Sequence, residues 1–365
     1  MKMTKQPKVS IYLSSYNHAA FLRESIDSVL NQTYEDFELI ILDDASTDNS
    51  WEIIQSYNDP RLRSIRNSYN HESRFSSIFA DIKGEYIAIH HSDDVWQTDK
   101  LEKQTDFLDS HPEIGAVFSL VEVIDENSKP VPDHLNYLKG VFNQKNRDRF
   151  AWLRHFFFNQ NCLCHPSVLI RRECYENCGL YRLGLSQLAD FDMWVRLCLQ
   201  YEIHILQEEL VKFRILSNFR NASSPKIENR VRENFEHLQI YKHFLQLTDA
   251  DEFLQVFPEA IKYKNGDWFE PAYALAMLAL ADSNLPPKQL FGEQILFDLL
   301  NDPNKKLELK RFADFQASDF KKITGKTDVF FYEARSKFYR FHSSWMANIM
   351  KWVLSFKSEI SRFKH

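Results

Sequence analysis

The sequence predicts an α/β fold, with a mixed, mainly parallel sheet flanked by helices and then an all-helical C-terminal region. Three observations carry this. Strand-like apolar runs alternate with helically spaced runs over roughly the first 110 residues, which indicates a parallel sheet covered on both faces. Two apolar runs are followed by acidic pairs, Asp43-Asp44 directly and Asp93-Asp94 after His91-Ser92, and Asp190 with Asp192 follows later. Such proteins place ligand groups at the carboxyl ends of strands. After Ser217 the strand signature stops, and the chain becomes rich in Glu, Lys, Leu and Phe. The expected division is residues 1–217 and 218–365.

Taken in order, Lys8–Leu13 (KVSIYL) reads as a strand and Ser14-Ser15-Tyr16-Asn17 as a polar turn. Phe21–Gln32 is a helix, with Leu22, Ile26, Val29 and Leu30 on one face. Phe37–Leu42 (FELIIL) is a buried strand, and Ser46 or Asp48 caps a helix carrying Trp51, Ile53 and Ile54. Arg61–Arg66 is a short strand, and Ser76–Ile82 a helix closed by Gly84 as its C-cap. Glu85–His90 is a strand running into His91-Ser92-Asp93-Asp94. Thr98 caps a helix over Asp99–Ser110, Gly115–Val123 is a long strand, and Asp125–Asn146, with Pro130 and Pro132, is a loop insertion. A helix over Phe150–Asn159, a strand over Ser167–Arg171, a helix over Phe191–Gln200 and two closing strands, Ile203–Leu206 and Leu210–Phe213, complete the sheet domain. Asn218–Pro225 is a polar loop. Ala272–Ala281 is apolar but too short to span a bilayer, so it is a buried helix.

Composition narrows the function classes. A net charge of −6 disfavours a general nucleic-acid binder, and 44% hydrophobic residues support a sizeable core. Only 8 glycines leave little material for Gly-rich phosphate loops. No G-x-G-x-x-G follows the first strand, which argues against a dinucleotide-dependent oxidoreductase. The five cysteines have poor spacing for zinc and are expected to be free thiols. The N-terminal residues lack the apolar core of a secretion signal, so a cytoplasmic location is expected.

Adjacent carboxylates repel, so converging several of them implies a cation to bind or a proton to move. Asp44 reads either as a turn carboxylate or as an acceptor for a nucleobase N–H. Asp93-Asp94, flanked by His90 and His91, fits a divalent cation bound with substrate phosphates. Asp190 reads as a helix N-cap or as a general base.

Together these residues resemble a family 2 glycosyltransferase of GT-A fold, a Rossmann-like architecture. The resemblance is carried by Val9–Ile54 (VSIYLSSYNHAAFLRESIDSVLNQTYEDFELIILDDASTDNSWEII), by KGEYIAIHHSDD, by HPSVLIRRECYENCGLYR and by LADFDMWVRL, over about the first 215 residues. It implies that Ser14, Tyr16 and Asn17 lie along a bound nucleotide and that Asp44 contacts its base. It implies that Arg74 approaches the diphosphate and that Asp93 and Asp94 form the acidic metal motif, with Asp94 the more direct ligand. Asp190 matches the base of inverting members, and Trp194 lies behind it. The implied reaction is metal-dependent transfer, with Mn or Mg, from a UDP-linked sugar to a glycan or lipid-linked glycan hydroxyl in polysaccharide or glycoconjugate synthesis. Three positions depart from the pattern. His91 replaces the usual first acid of the metal motif, Ala189 the Glu before the base, and Leu216 the His of a closing R-x-His. These departures motivate a second reading, a decayed nucleotide-sugar-binding or scaffold protein. Residues 332–365 are basic and aromatic, and read either as an ordinary packed helix or as a peripheral contact with the inner membrane face. A dimer through the helical tail is the oligomer considered.

Overall fold

The computed structural model describes residues 6–70, 75–216, 226–282, 285–326 and 328. Arg74, the stretch 218–225 and the basic tail 332–365 lie outside the described residues. The chain forms two compact units. The first runs to His243 and includes Gln255–Phe257; the second holds Phe244–Leu254 and the chain from Pro258 onward.

The first unit is built on an eight-stranded sheet in the order β3-β2-β1-β4-β7-β6-β8-β5. These strands are β1 (Val9–Ser15), β2 (Phe37–Asp43), β3 (Leu62–Arg66), β4 (Tyr86–His91), β5 (Val95–Trp96), β6 (Ile114–Ile124), β7 (Leu169–Arg171) and β8 (Glu202–Arg214). β3, β2, β1 and β4 are mutually parallel, β7 is antiparallel to both β4 and β6, and β8 runs parallel to β6. The chain moves outward from β1 to β3, then returns to place β4 on the other side of β1. That reversal opens a crevice at the carboxyl ends of the central strands. Register puts the future site residues at one level: Ser14 lies opposite His91 and Leu42, and Ser15 opposite Asp43.

The central strands are apolar along their length, as expected where both faces are covered. Val9, Ile11, Leu13, Leu39, Ile41 and Ala88 pack with Leu22, Ile26 and Val29 of helix α1 (Ala19–Leu30) and with Leu101 and Leu108 of a later helix. Ser46, one of the two expected caps, serves instead to accept the Asn17 N–H. Asp48 accepts N–H groups from Ala19 and Ser50 and so ties the starts of α1 and α2 (Ser50–Gln55) together.

Several expected elements differ. The helix over Ser76–Ile82 is one short turn, α3 (Phe75–Ile78), followed by a 3-10 turn. Gly84 is not a left-handed cap; its missing side chain lets β1 approach, since a Cβ there would lie 2.3 Å from the Ser10 nitrogen. The expected helix Asp99–Ser110 forms as α4 (Lys100–Ser110), without a side-chain cap from Thr98. Within Asp125–Asn146 a short helix, α5 (Tyr137–Phe142), is capped by the Asn136 side-chain oxygen, which accepts from the Lys139 N–H. Helix α6 (Arg149–Asn159) packs Trp152, Leu153, Phe156 and Phe157 inward. Cys174 and Cys178 sit on a short helix, α7 (Arg172–Cys178). All five cysteines are free thiols. The two closing strands are one, β8, bulged against β6 near Leu206 and Glu209. Past residue 217, α9 (Ile227–Tyr241) belongs to the first unit and faces α8 (Ala189–Cys198).

The second unit is helical. α10 (Ala250–Val256) leads to α11 (Pro271–Ala281), α12 (Pro286–Asn301), α13 (Pro303–Phe312) and α14 (Ala317–Thr324). Three of these helices begin on proline, which tolerates the first turn because its missing N–H has no helical partner there. α11 buries Ala274, Leu275, Leu278 and Ala279, as expected of a core helix. Gly292 permits its close approach to α12, where a Cβ would lie 2.8 Å from the Ala276 carbonyl oxygen. Among the described residues no helix is long and apolar enough to cross a membrane.

Candidate active site

The loops after β1 and β2 are built as one piece. Asn17 and Ala45 both adopt left-handed backbone, at φ 54° and 61°. The Asn17 side-chain oxygen accepts from the Thr47 N–H at 2.8 Å, and the Asn17 N–H donates to Ser46 Oγ at 3.0 Å. Asn17 therefore acts as a brace between loops. Tyr16, beside it, is 44% exposed.

The pair at the end of β2 divides its labour. Asp43 is fully buried, accepts from the Ser46 N–H and lies 3.6 Å from Arg66 Nε. Asp44 is half-buried, accepts from Asn67 Nδ2 at 2.7 Å, and lines a cavity of about 230 Å³. Ser14, Tyr12, Ile89, Phe75, His165 and Tyr181 also line it, and Ala189 brings the cavity to the first turn of α8. This is a mostly apolar cleft with a few polar groups, the usual composition of a small-ligand site.

At the end of β4, ligand atoms of His91, Asp93 and Asp94 lie within 4.8 Å of one another. Asp94 is 1% exposed; its Oδ1 accepts from the Arg214 N–H at 2.8 Å. Its Oδ2 is buried without a hydrogen-bond partner and faces His91 Nδ1 at 3.5 Å. Two close carboxylates, an imidazole and an orphaned buried oxygen suit a divalent cation. Burial and the Asp94 charge raise the Asp93 pKa. Burial works against charge on His91, but the Asp94, Asp93 and Asp190 carboxylates outweigh it and raise its pKa. His90 points elsewhere: its Nε2 pairs with Ser25 Oγ at 2.9 Å, its ring packs on Trp96, and burial keeps it neutral.

Asp190 is the second residue of α8, inside the helix rather than its N-cap, which is Leu188. The Phe191 N–H and Asn161 Nδ2 donate to its two oxygens at 2.8 and 2.9 Å. Burial raises its pKa in spite of those bonds and the nearby His91. Asp192, two residues on, is a structural hub. It is fully buried and takes hydrogen bonds from Arg182, Arg196 Nε (2.9 Å) and His243 Nε2 (2.8 Å). Burial opposes its ionisation, but His243, Arg196 and Arg182 more than offset this and lower its pKa. Trp194 is fully buried on the same helix, against Phe118.

Asp44, Asp93, Asp94 and Asp190 are thus gathered at one end of the sheet, with Ser14 beside Asp44 and His91 among the acids. The sequence reading passed over the groups that hold them. Arg214 is buried and donates through Nε to the Asp93 carbonyl (2.7 Å), through Nη1 to Ser128 Oγ (2.9 Å) and through Nη2 to Glu24 (2.7 Å). His18 Nδ1 lies 2.8 Å from Ser92 Oγ, joining the β1 loop to the acidic loop. His165 pairs with the Tyr181 hydroxyl at 2.8 Å and sets its ring 5.2 Å from His91.

The glycosyl transferase family 2 model matches residues 10–176, spanning β1, β2, β4 and both acidic pairs. An uncharacterized glycosyltransferase of Methanocaldococcus jannaschii is 33% identical over 219 residues, 58% of this chain and 71% of the relative. The chain belongs to glycosyl transferase family 2. Another relative is the Escherichia coli UDP-Glc:alpha-D-GlcNAc-diphosphoundecaprenol beta-1,3-glucosyltransferase WfaP, 38% identical over 104 residues, 28% of this chain and 41% of WfaP. Among solved structures, Staphylococcus aureus TarS 1–349 in complex with UDP-GlcNAc superimposes with a TM-score of 0.55 at 16% identity, covering 80% of this chain and 88% of TarS. The family's GT-A fold, a mixed and mainly parallel sheet with a helical region after it, is therefore the fold of this chain.

Proposed function

We propose that this family 2 member is an inverting transferase that moves a sugar from a UDP-sugar to a hydroxyl of a glycan or lipid-linked glycan. The observation that carries the proposal is that Asp44 and Ala189 line one cleft, with Asp190 next to Ala189 in the chain and the His91–Asp93–Asp94 cluster beside the cleft residue His165. In this reading Asp44, steadied by Asn67, receives a base N–H, and Ser14 and Tyr16 flank the nucleotide. Asp190 takes the acceptor proton while the hydroxyl attacks the anomeric carbon. Its burial serves that step, because a carboxylate with raised pKa is a stronger base toward an alcohol. Asn161 fixes the carboxyl plane. Asp94, Asp93 and His91 would hold the divalent cation, which when bound neutralises charge on the departing diphosphate. Phe75, Ile89 and Leu185 wall the cleft and limit water.

The relative WfaP acts on UDP-Glc and a diphosphoundecaprenol-linked acceptor, which supports a uridine donor and a role in cell-surface polysaccharide synthesis. The grouping of His91 with Asp93 and Asp94 supports reading it as a member of a three-residue cation cluster rather than as a sign of decay. The test is a thermal-shift and hydrolysis screen of UDP-, GDP- and dTDP-sugars with manganese or magnesium. A UDP-sugar should raise the melting temperature and be slowly cleaved. Binding without cleavage of any donor would turn the reading toward a sugar-nucleotide-binding protein.

A further inference from the structure

The segment that leads into the Asp190 helix has no cap of its own. The first N–H groups of a helix lack internal partners, and a side chain at the N-cap normally supplies one. The N-cap of α8 is Leu188, which cannot. Within the first turn the Phe191 N–H is taken by Asp190 itself, and the N–H groups just before the helix are taken by a residue of α9, well beyond residue 176, where the family match ends. Glu236 is fully buried. Its Oε1 accepts from the Ser186 N–H at 2.9 Å, and its Oε2 from the N–H groups of Gln187 and Leu188 at 3.0 and 2.7 Å. One carboxylate thus fixes three consecutive peptide groups, and the next two residues are Ala189 and Asp190. Its negative charge also sits at the positive end of the α8 dipole. Other groups hold this segment to α8: His243, just past the end of α9, bonds Asp192 through Nε2, and the His237 ring of α9 packs 6.1 Å from Phe191.

We infer that Glu236 is a positioning residue for the transfer reaction, its buried carboxylate fixing the Ser186–Leu188 backbone and thereby aiming Asp190 at the acceptor hydroxyl. The inference rests on the reading of Asp190 as the base. It makes α9 a part of the catalytic unit. Glu236→Gln keeps the shape but replaces an acceptor oxygen with an amide NH2 that opposes at least one of the three N–H groups and removes the charge shared by all three. A displacement of about 1 Å at a reacting group is enough to slow a reaction roughly 100-fold.

The full chain is tested with a UDP-sugar that the wild type hydrolyses, with UDP affinity by calorimetry and amide exchange by mass spectrometry. In Glu236→Gln, kcat should fall about 100-fold, UDP affinity should stay within about twofold, and exchange at residues 186–188 should quicken while β1 amides hold. Glu236→Asp, which keeps both acceptor oxygens, should recover part of kcat, and it carries the test if the Gln variant fails to fold. Faster exchange at 186–188 with kcat within about threefold of wild type would overturn the positioning role and leave the transferase reading intact. A parallel loss of kcat and UDP affinity would overturn it too, by showing general disruption. A wild-type chain inert toward every donor would remove the transferase reading, and this inference with it.

Discussion

Replacing Arg214 with methionine should loosen the acidic loop from behind without touching a ligand atom. Arg214 is 1% exposed, and its guanidinium donates to the Asp93 carbonyl, Ser128 Oγ, the Asp125 carbonyl and Glu24. Methionine keeps much of the volume and none of the donors. The Asp125 carbonyl retains the Ser128 N–H as a partner, so little is lost there. The Asp93 carbonyl loses its hydrogen bond in a buried place, at about 1–3 kcal/mol. The Glu24 pair is half-exposed and contributes under about 1 kcal/mol. With the Ser128 bond the total is about 3 kcal/mol, or a fall of about 6–12 °C in melting temperature for a unit of this size. The bond from the Arg214 backbone N–H to Asp94 survives, so the loop is slackened rather than released. Loss of such an outer support typically weakens metal binding about 10–100-fold. Manganese titration by calorimetry, with UDP present, reads this directly. Arg214→Lys should recover only part of it, because an ammonium cannot reach acceptors spread around a planar fork. A methionine variant that melts early yet binds manganese within twofold of wild type would refute the claim that Arg214 sets the acids' geometry.

Asp190→Asn should reduce donor hydrolysis by about 1,000-fold, within the range for a lost general base, and leave UDP affinity nearly intact. The same variant should melt higher near neutral pH. The Asp190 pKa is raised in the fold, so the native state carries an ionisation penalty that grows as pH rises from the ordinary carboxylate range through the raised value. Below the ordinary range both states are protonated, and the melting gain should vanish; a gain independent of pH would contradict the burial argument. Asp44→Ala should weaken UDP binding about tenfold by calorimetry, the loss of one charge-assisted hydrogen bond at about 1.5 kcal/mol, with kcat at saturation little changed. Asp94→Asn should abolish manganese-dependent stabilisation by UDP-sugar in a thermal-shift assay, while stability without metal changes little, because the Arg214 N–H keeps an acceptor oxygen and the buried Oδ2 has no hydrogen bond to lose.

The parts legible in the sequence were those written in local pattern. Apolar runs such as FELIIL and EYIAIH have one use in a strand covered on both faces, and the acids at or just past their ends inherit a strand-end position. This is why Asp44, Asp93, Asp94 and the parallel half of the sheet were readable. What could not be read is pairing across long separations. Arg214 lies 120 residues from Asp94 and Glu236 48 from Leu188, and neither residue carries a local signal of its partner. Short elements were missed for a related reason. β5 has two residues, and only its neighbour β8 makes it a strand. Gly84 was misread because a close backbone approach from β1 and a helix C-cap both select glycine.

The same limit explains why charge alone did not separate the acids by role. Asp43 and Asp44 are adjacent, yet one lies buried beside Arg66 and the other opens on the cleft. Asp190 and Asp192 share a helix, yet their pKa values move in opposite directions. Burial disfavours the charge of both; Asp192 meets Arg182, Arg196 and His243, whereas Asp190 meets neutral donors and one histidine nearby. A carboxylate neutralised on every side stabilises a fold and has little tendency to accept a proton. One that is buried with few counter-charges is less stable as an anion and more basic for that reason. The sequence supplies the acids, and their distant partners decide which of them is left reactive.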